Sequence, residues 1–139
     1  MGSVYAEIQL INADDLALAR RMKMDKDEVR SINIRMLVDS GAYDMCINES
    51  LQEYLQLPFV EKRKMVLADG RVQEFDVVGP VTVKFENRTA ICSALILPGD
   101  TEPLLGVIPM EEMDVLIHPR RQELIVNPES PDIALSKMK

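Results

Sequence analysis

The stretch Arg35–Met45, RMLVDSGAYDM, sets three apolar residues directly before the carboxylate of Asp39 and a Ser-Gly pair directly after it. Toward the N-terminus, Ile32, Ile34, Met36 and Val38 fall on one face of an alternating pattern while Asn33 and Arg35 take the other, the period-two mark of a half-buried strand. Leu37 makes the end of that strand apolar on both faces, so burial rises toward Asp39. A carboxylate at the edge of a core loses hydration, which costs stability unless something compensates it. Asp, Ser and Gly are also common turn formers, so Asp39 taken by itself reads better as an ordinary turn opener.

The flanking sequence supplies a mostly β frame. Val4, Ala6, Ile8 and Leu10 alternate as a first strand, and the mixed-charge segment from Asn12 to Glu28 fits either a hairpin or a helical turn. After the Asp39 turn, INESLQEYLQLP predicts a short helix, with Asn48 as N-cap, Leu51, Tyr54 and Leu55 at helical spacing, and Pro58 as the stop. RKMVLA and RVQEFDVVG flank Asp69-Gly70, which predicts a hairpin with a type I′ turn. PVTVKFE and TAICSALIL predict a second hairpin about Asn87-Arg88, and Ile91–Leu97, apolar on both faces, places its strand centrally in the sheet. EPLLGVIPMEEMD brings an apolar pair to Gly106 and then a short helix with Pro109, Glu111 and Glu112 in its first turn. QELIVN is the last predicted strand, and residues 129–139 follow it with little core-forming pattern.

At 139 residues the chain is the size of one domain, with an ordinary globular balance of 47% apolar and 28% charged residues. A domain over residues 1–128 with a C-terminal tail over 129–139 is the expected organisation. The formal charge of −7 would repel a phosphate backbone, and the one basic cluster, RRMKMDK, is interrupted by Asp25, so nucleic acid is not expected as a partner. No apolar run is long enough to span a bilayer and no basic-then-apolar leader opens the chain, so no membrane association and a cytoplasmic location are expected. In such a reducing compartment Cys46 and Cys92 read as small buried hydrophobes. His118 is the only histidine, which rules out a His-rich zinc site; no metal or cofactor is expected. The chemistry must rest on carboxylates.

Three separated features, LVDSGA at a strand end, LADGR at a hairpin tip and LLG before a short helix, resemble in order and spacing the retropepsin-like aspartic proteases. The likeness runs from Val4 to Pro128, and the non-retroviral single-domain branch is the nearer match because a helix follows the Asp-Ser-Gly-Ala motif. The resemblance implies a closed β-barrel with one or two short helices. It implies that Asp39 is the catalytic aspartate, supported by Ser40, Gly41 and Ala42 in the catalytic loop. Ala68, Asp69, Gly70 and Arg71 would form the tip of a substrate-covering flap, and Leu104, Leu105 and Gly106 the apolar element packed beneath the loop.

Peptide hydrolysis by carboxylates needs two of them sharing one proton, one ionised to activate water and one protonated to donate to the scissile carbonyl. The chain offers one Asp-x-Gly at a strand end, and neither Asp69-Gly70 nor Asp100-Thr101-Glu102 repeats the pattern. A second Asp39 from a twin chain would complete the pair about a two-fold axis, so a homodimeric aspartic endopeptidase acting on a peptide or protein is expected. The alternative is a non-catalytic dimerisation or peptide-binding module that keeps the fold. A monomeric β-barrel with an ordinary Asp turn is a third.

Overall fold

The computed structural model describes residues 2–138. Strand β1 (Val4–Asn12) pairs antiparallel with β2 (Ser31–Val38) in the register Ile8↔Ile34 and Val4↔Val38, so the alternating apolar sets of both strands fall on one face. Between them the undecided segment is helical: α1 (Ala13–Arg20) and a 3-10 turn (Lys26–Glu28) are inserted across the open end of the pair. Asn12 starts that insertion. Its Oδ1 accepts from Asp15 N at 3.1 Å as the N-cap of α1, and its Nδ2 donates to the carbonyls of Leu55 and Gln56.

The chain then runs through β3 (Met45–Asn48) and α2 (Glu49–Leu55), where Asn48 Oδ1 accepts from Leu51 N at 2.8 Å, the expected cap. The helix ends before Pro58, at Gln56, which turns left-handed at φ 53°. Next come β4 (Phe59–Val66), the long β5 (Val72–Phe85) and β6 (Arg88–Leu97). The runs RVQEFDVVG and PVTVKFE, read separately in sequence, are two halves of β5, with the register to β6 shifting between Val78 and Val81. Its first half pairs with β4 and its second with β1, so the irregularity lets one strand serve both neighbours.

Two predicted turns differ in detail. At the β4–β5 tip Leu67 N donates to Arg71 O at 2.7 Å and Gly70 N to Leu67 O at 2.9 Å, a three-residue loop in which Gly70 alone takes positive φ, at 87°. A type I′ turn would need Asp69 there as well; the longer loop spares it. The β5–β6 turn is Glu86-Asn87, one residue earlier than expected, because Phe85 pairs with Arg88 and Glu86 takes φ 50°.

A two-residue strand, β7 (Leu104–Leu105), enters α3 (Val107–Met113), and β8 (Val115–His118) with β9 (Glu123–Val126) closes the chain as a separate hairpin. Glu111 and Glu112 lie beyond the first turn of α3, contrary to expectation, because the helix begins at Val107 with Gly106 as its N-cap. The main sheet runs β1-β2-β7-β3-β6-β5-β4, and β1 pairs again with β5, so the pairing returns on itself as a ring with β4 outside it. Among the described residues the fold is thus mostly β with three short helices, and β6 sits between β3 and β5, although Ile91 and Ser93 are exposed and only its last four residues are covered on both faces. The core inside the ring is built from Ile8, Leu10, Met36, Ile47, Val83 and Leu105, with α3 adding Met110 and Met113.

Residues 130–135 are tied to the body. Asp114, left-handed at the end of α3, accepts from Asn127 Nδ2, Ser130 Oγ and Leu135 N. Arg88 lies buried beneath, donating from Nη2 to the Ser130 carbonyl.

Candidate active site

Asp39 stands one residue past β2, and β7 holds it there. β7 lies between β2 and β3, parallel to the first and antiparallel to the second, with Leu37 opposite Leu104 and Val38 opposite Leu105. Asp39 N donates to Leu105 O at 3.0 Å, extending that ladder by one bond onto the catalytic candidate itself. The turn closes with Ala42 N on Asp39 O at 3.2 Å, and Gly41 N donates to Asp39 Oδ1 at 2.9 Å, fixing the direction of the carboxylate.

The far side of the loop rests on α3. The first N–H groups of a helix have no partners within it; here Val107 N donates to Ala42 O at 2.8 Å and Ile108 N to Tyr43 O at 2.9 Å. This clasp requires close approach. A Cβ on Gly106 would stand 2.3 Å from the Asp44 carbonyl oxygen and 2.7 Å from that of Tyr43, closer than any side chain fits. The structure therefore brings together Asp39, Gly41, Ala42, Leu104, Leu105 and Gly106. Ser40 and Gly41 are exposed, and among the described residues the Ser40 hydroxyl makes no hydrogen bond within the chain.

Asp39 is itself partly exposed, facing a cavity of about 500 Å³ whose wall includes Leu37, Val38, Ser40, Ile117 and Gln122. The β8–β9 hairpin thus reaches the neighbourhood of the loop, and that strand pair was only half visible in sequence.

Ala68, Asp69, Gly70 and Arg71 form the exposed tip of the β4–β5 arm. The two charges at the tip pair with one another, Arg71 Nε lying 2.6 Å from Asp69 Oδ2. Hydrogen bonds from the Arg71 N–H and guanidinium hold the Asp69 carboxyl below its ordinary range. From the middle and outer part of the arm Phe75 and Met65 pack on a small cluster of Cys46, Val77 and Leu95, beside Leu104. Arg63 Nη1 lies 3.7 Å from Asp44 Oδ1, linking the arm to the segment just after the Asp39 loop. A partner this far along the chain leaves no local signal in the sequence around Asp44.

Burial first, then the nearby carboxylates of Asp44 and Asp39, push the Cys46 thiol up to about 11, so it is a neutral thiol at neutral pH and no nucleophile. The Cys92 thiol is pushed up to about 12, chiefly by burial. His118 Nδ1 accepts from Arg121 N within the β8–β9 turn. Among the described residues no three His, Cys, Asp or Glu side chains gather closely enough to hold a metal ion, and no helix is long and apolar enough to cross a membrane.

A partly exposed aspartate thus stands at a strand end, clasped by an inserted strand and a helix. Comparison with protein-family models matches residues 17–111, more than half of the chain, to the family described as gag-polyprotein putative aspartyl protease. The chain belongs to that family, a retropepsin-like one. The search of curated proteins gives no match.

Proposed function

We propose that the protein is a homodimeric aspartic endopeptidase that hydrolyses peptide bonds with water activated between two Asp39 carboxylates, one from each protomer. The observation that carries this reading is the clasp on Asp39: its N–H on Leu105, its Oδ1 on Gly41 N, and its turn capped by α3. A plain Asp turn supplies the Gly41 and Ala42 bonds by itself; the bonds to Leu105 and from α3 are what set this loop apart, holding Asp39 in the wall of a cavity of about 500 Å³.

Within one chain the carboxylate has no acidic twin on an equivalent loop, so a two-fold axis beside Ser40 and Gly41 supplies the second. The ionised member takes a proton from water, and the protonated member donates to the scissile carbonyl oxygen. Like charges at close range keep one of the pair protonated, so turnover is favoured at mildly acidic pH. Substrate lies extended under the β4–β5 arm, with backbone pairing for affinity and alternate side chains on apolar walls such as that of Met65, Phe75 and Leu104. We place the enzyme in a reducing, cytoplasmic setting, in keeping with its two free cysteines.

The test is Asp39→Asn, assayed on a peptide library beside the wild type across pH. Turnover is expected to fall by about 10²–10⁴-fold with unchanged dimer mass and circular dichroism. Full activity in the variant contradicts the mechanism; a folded wild-type dimer that cleaves nothing favours a peptide-binding module instead.

A further inference from the structure

At the end of β1 and β2 remote from Asp39, the α1 insertion leaves a cavity of about 270 Å³. Eight residues of β2 separate the two places, roughly 25 Å at the usual rise per residue. The floor is apolar, from Ile11, Leu16, Ala19 and Val29, and cations from two separate elements join it: Arg20 from the last turn of α1 and Lys26 from the 3-10 turn. Among the described residues neither cation has an ion-pair partner, whereas Asp15, the buried acid of α1, is already taken by Arg30 at 3.6 Å. Asp25, Asp27 and Glu28 sit on the same insertion but none lines the cavity.

We infer that this cavity is a docking site for an acidic peptide segment that presents an apolar side chain between carboxylates. The charge pattern selects the occupant. On a chain of net charge −7, the lining of this cavity carries two cations and no acid beside its apolar floor, which is complementary to an anionic partner. At about 270 Å³ the cavity has room for one apolar side chain. A peptide held here lies away from Asp39, so docking raises the local concentration of whatever is attached to it without occupying the cleft. The inference stands apart from proteolysis, and its test reads binding alone.

The probe is the blocked peptide Glu-Asp-Leu-Asp-Glu, titrated into the full isotope-labelled chain at low salt and followed by amide chemical shifts. Saturable shifts confined to residues around Leu16, Arg20, Lys26 and Val29 are expected, weakening with added salt. Replacing the peptide leucine by serine, or its acids by amides, should weaken binding about fivefold or more, and the double variant Arg20→Glu, Lys26→Glu about tenfold. A variant spectrum otherwise superimposable on the wild type shows that the fold is kept. No saturable shift, or equal binding of the control peptides or of the variant, overturns the inference. Shifts at these residues produced by dodecanoate and not by peptide would assign the cavity to a lipid acid, and self-association lost in the double variant would assign it to a second copy; either outcome overturns it.

Discussion

Gly106 is where the Asp39 loop and α3 approach closely, and the oxygens an added methyl would meet are backbone atoms of Tyr43 and Asp44, the first already held by Ile108 N. Gly106→Ala is therefore expected to cost about 3 kcal/mol in a denaturant titration, as overpacking against atoms that cannot yield does. Gly41 differs. Its added Cβ would meet only the Asp39 Oδ1 atom, at 3.2 Å, on an exposed loop, so Gly41→Ala should keep the melting temperature while lowering kcat through a displaced carboxylate. Both residues stood out in sequence because Asp-Ser-Gly-Ala and Leu-Leu-Gly are local strings. Asn12, Asp44, Arg88 and Asp114 did not, because each works through a partner at least thirteen residues away, at Leu55, Arg63, Ser130 and Asn127 respectively.

Elements with their own periodicity or cap were readable: β1, β2 and the second half of β5 alternate, and Asn48 announces α2. The short strands β3 and β7 were not, since four and two residues show no period and are held as strands by partners distant in sequence, β6 and β7 for β3, β2 and β3 for β7. Asn48 also donates to the Thr101 carbonyl, joining the helix cap to the approach to β7. Asn48→Ala should accordingly destabilise by about 1–2 kcal/mol, more than a simple cap, with the excess restored by no other cap residue; thermal melts of Asn48→Ala and Asn48→Asp separate the two contributions. The β4–β5 arm is exposed along most of its length and touches the body through Arg63 and Phe75 at its middle and Met65 next to its tip.

For the molecule as a whole, the C-terminal segment acts as a strap over the Arg88–Asp114 pair. Hydrogen bonds from Ser130, Asn127 and Leu135, with the Arg88 cation adding to them, hold the Asp114 carboxyl well down, at about 2 against an ordinary 3.8. A depressed folded value means that this contribution is complete above about pH 4 and is lost as pH falls through about 2. The melting-temperature gap between wild type and Asp114→Asn should therefore be constant near neutrality and close between about pH 4 and pH 2; a gap unchanged at pH 2 would contradict it. The pairing of two whole molecules about Asp39 is the claim on which the proposed chemistry turns. It is tested most directly by mixing wild-type and Asp39→Asn chains in varying proportion at constant total concentration, after exchange of subunits, and measuring peptide cleavage. Activity shared between protomers predicts a fall with the square of the wild-type fraction, to about one quarter at equal parts, whereas a linear fall to about one half would contradict a site built from two chains.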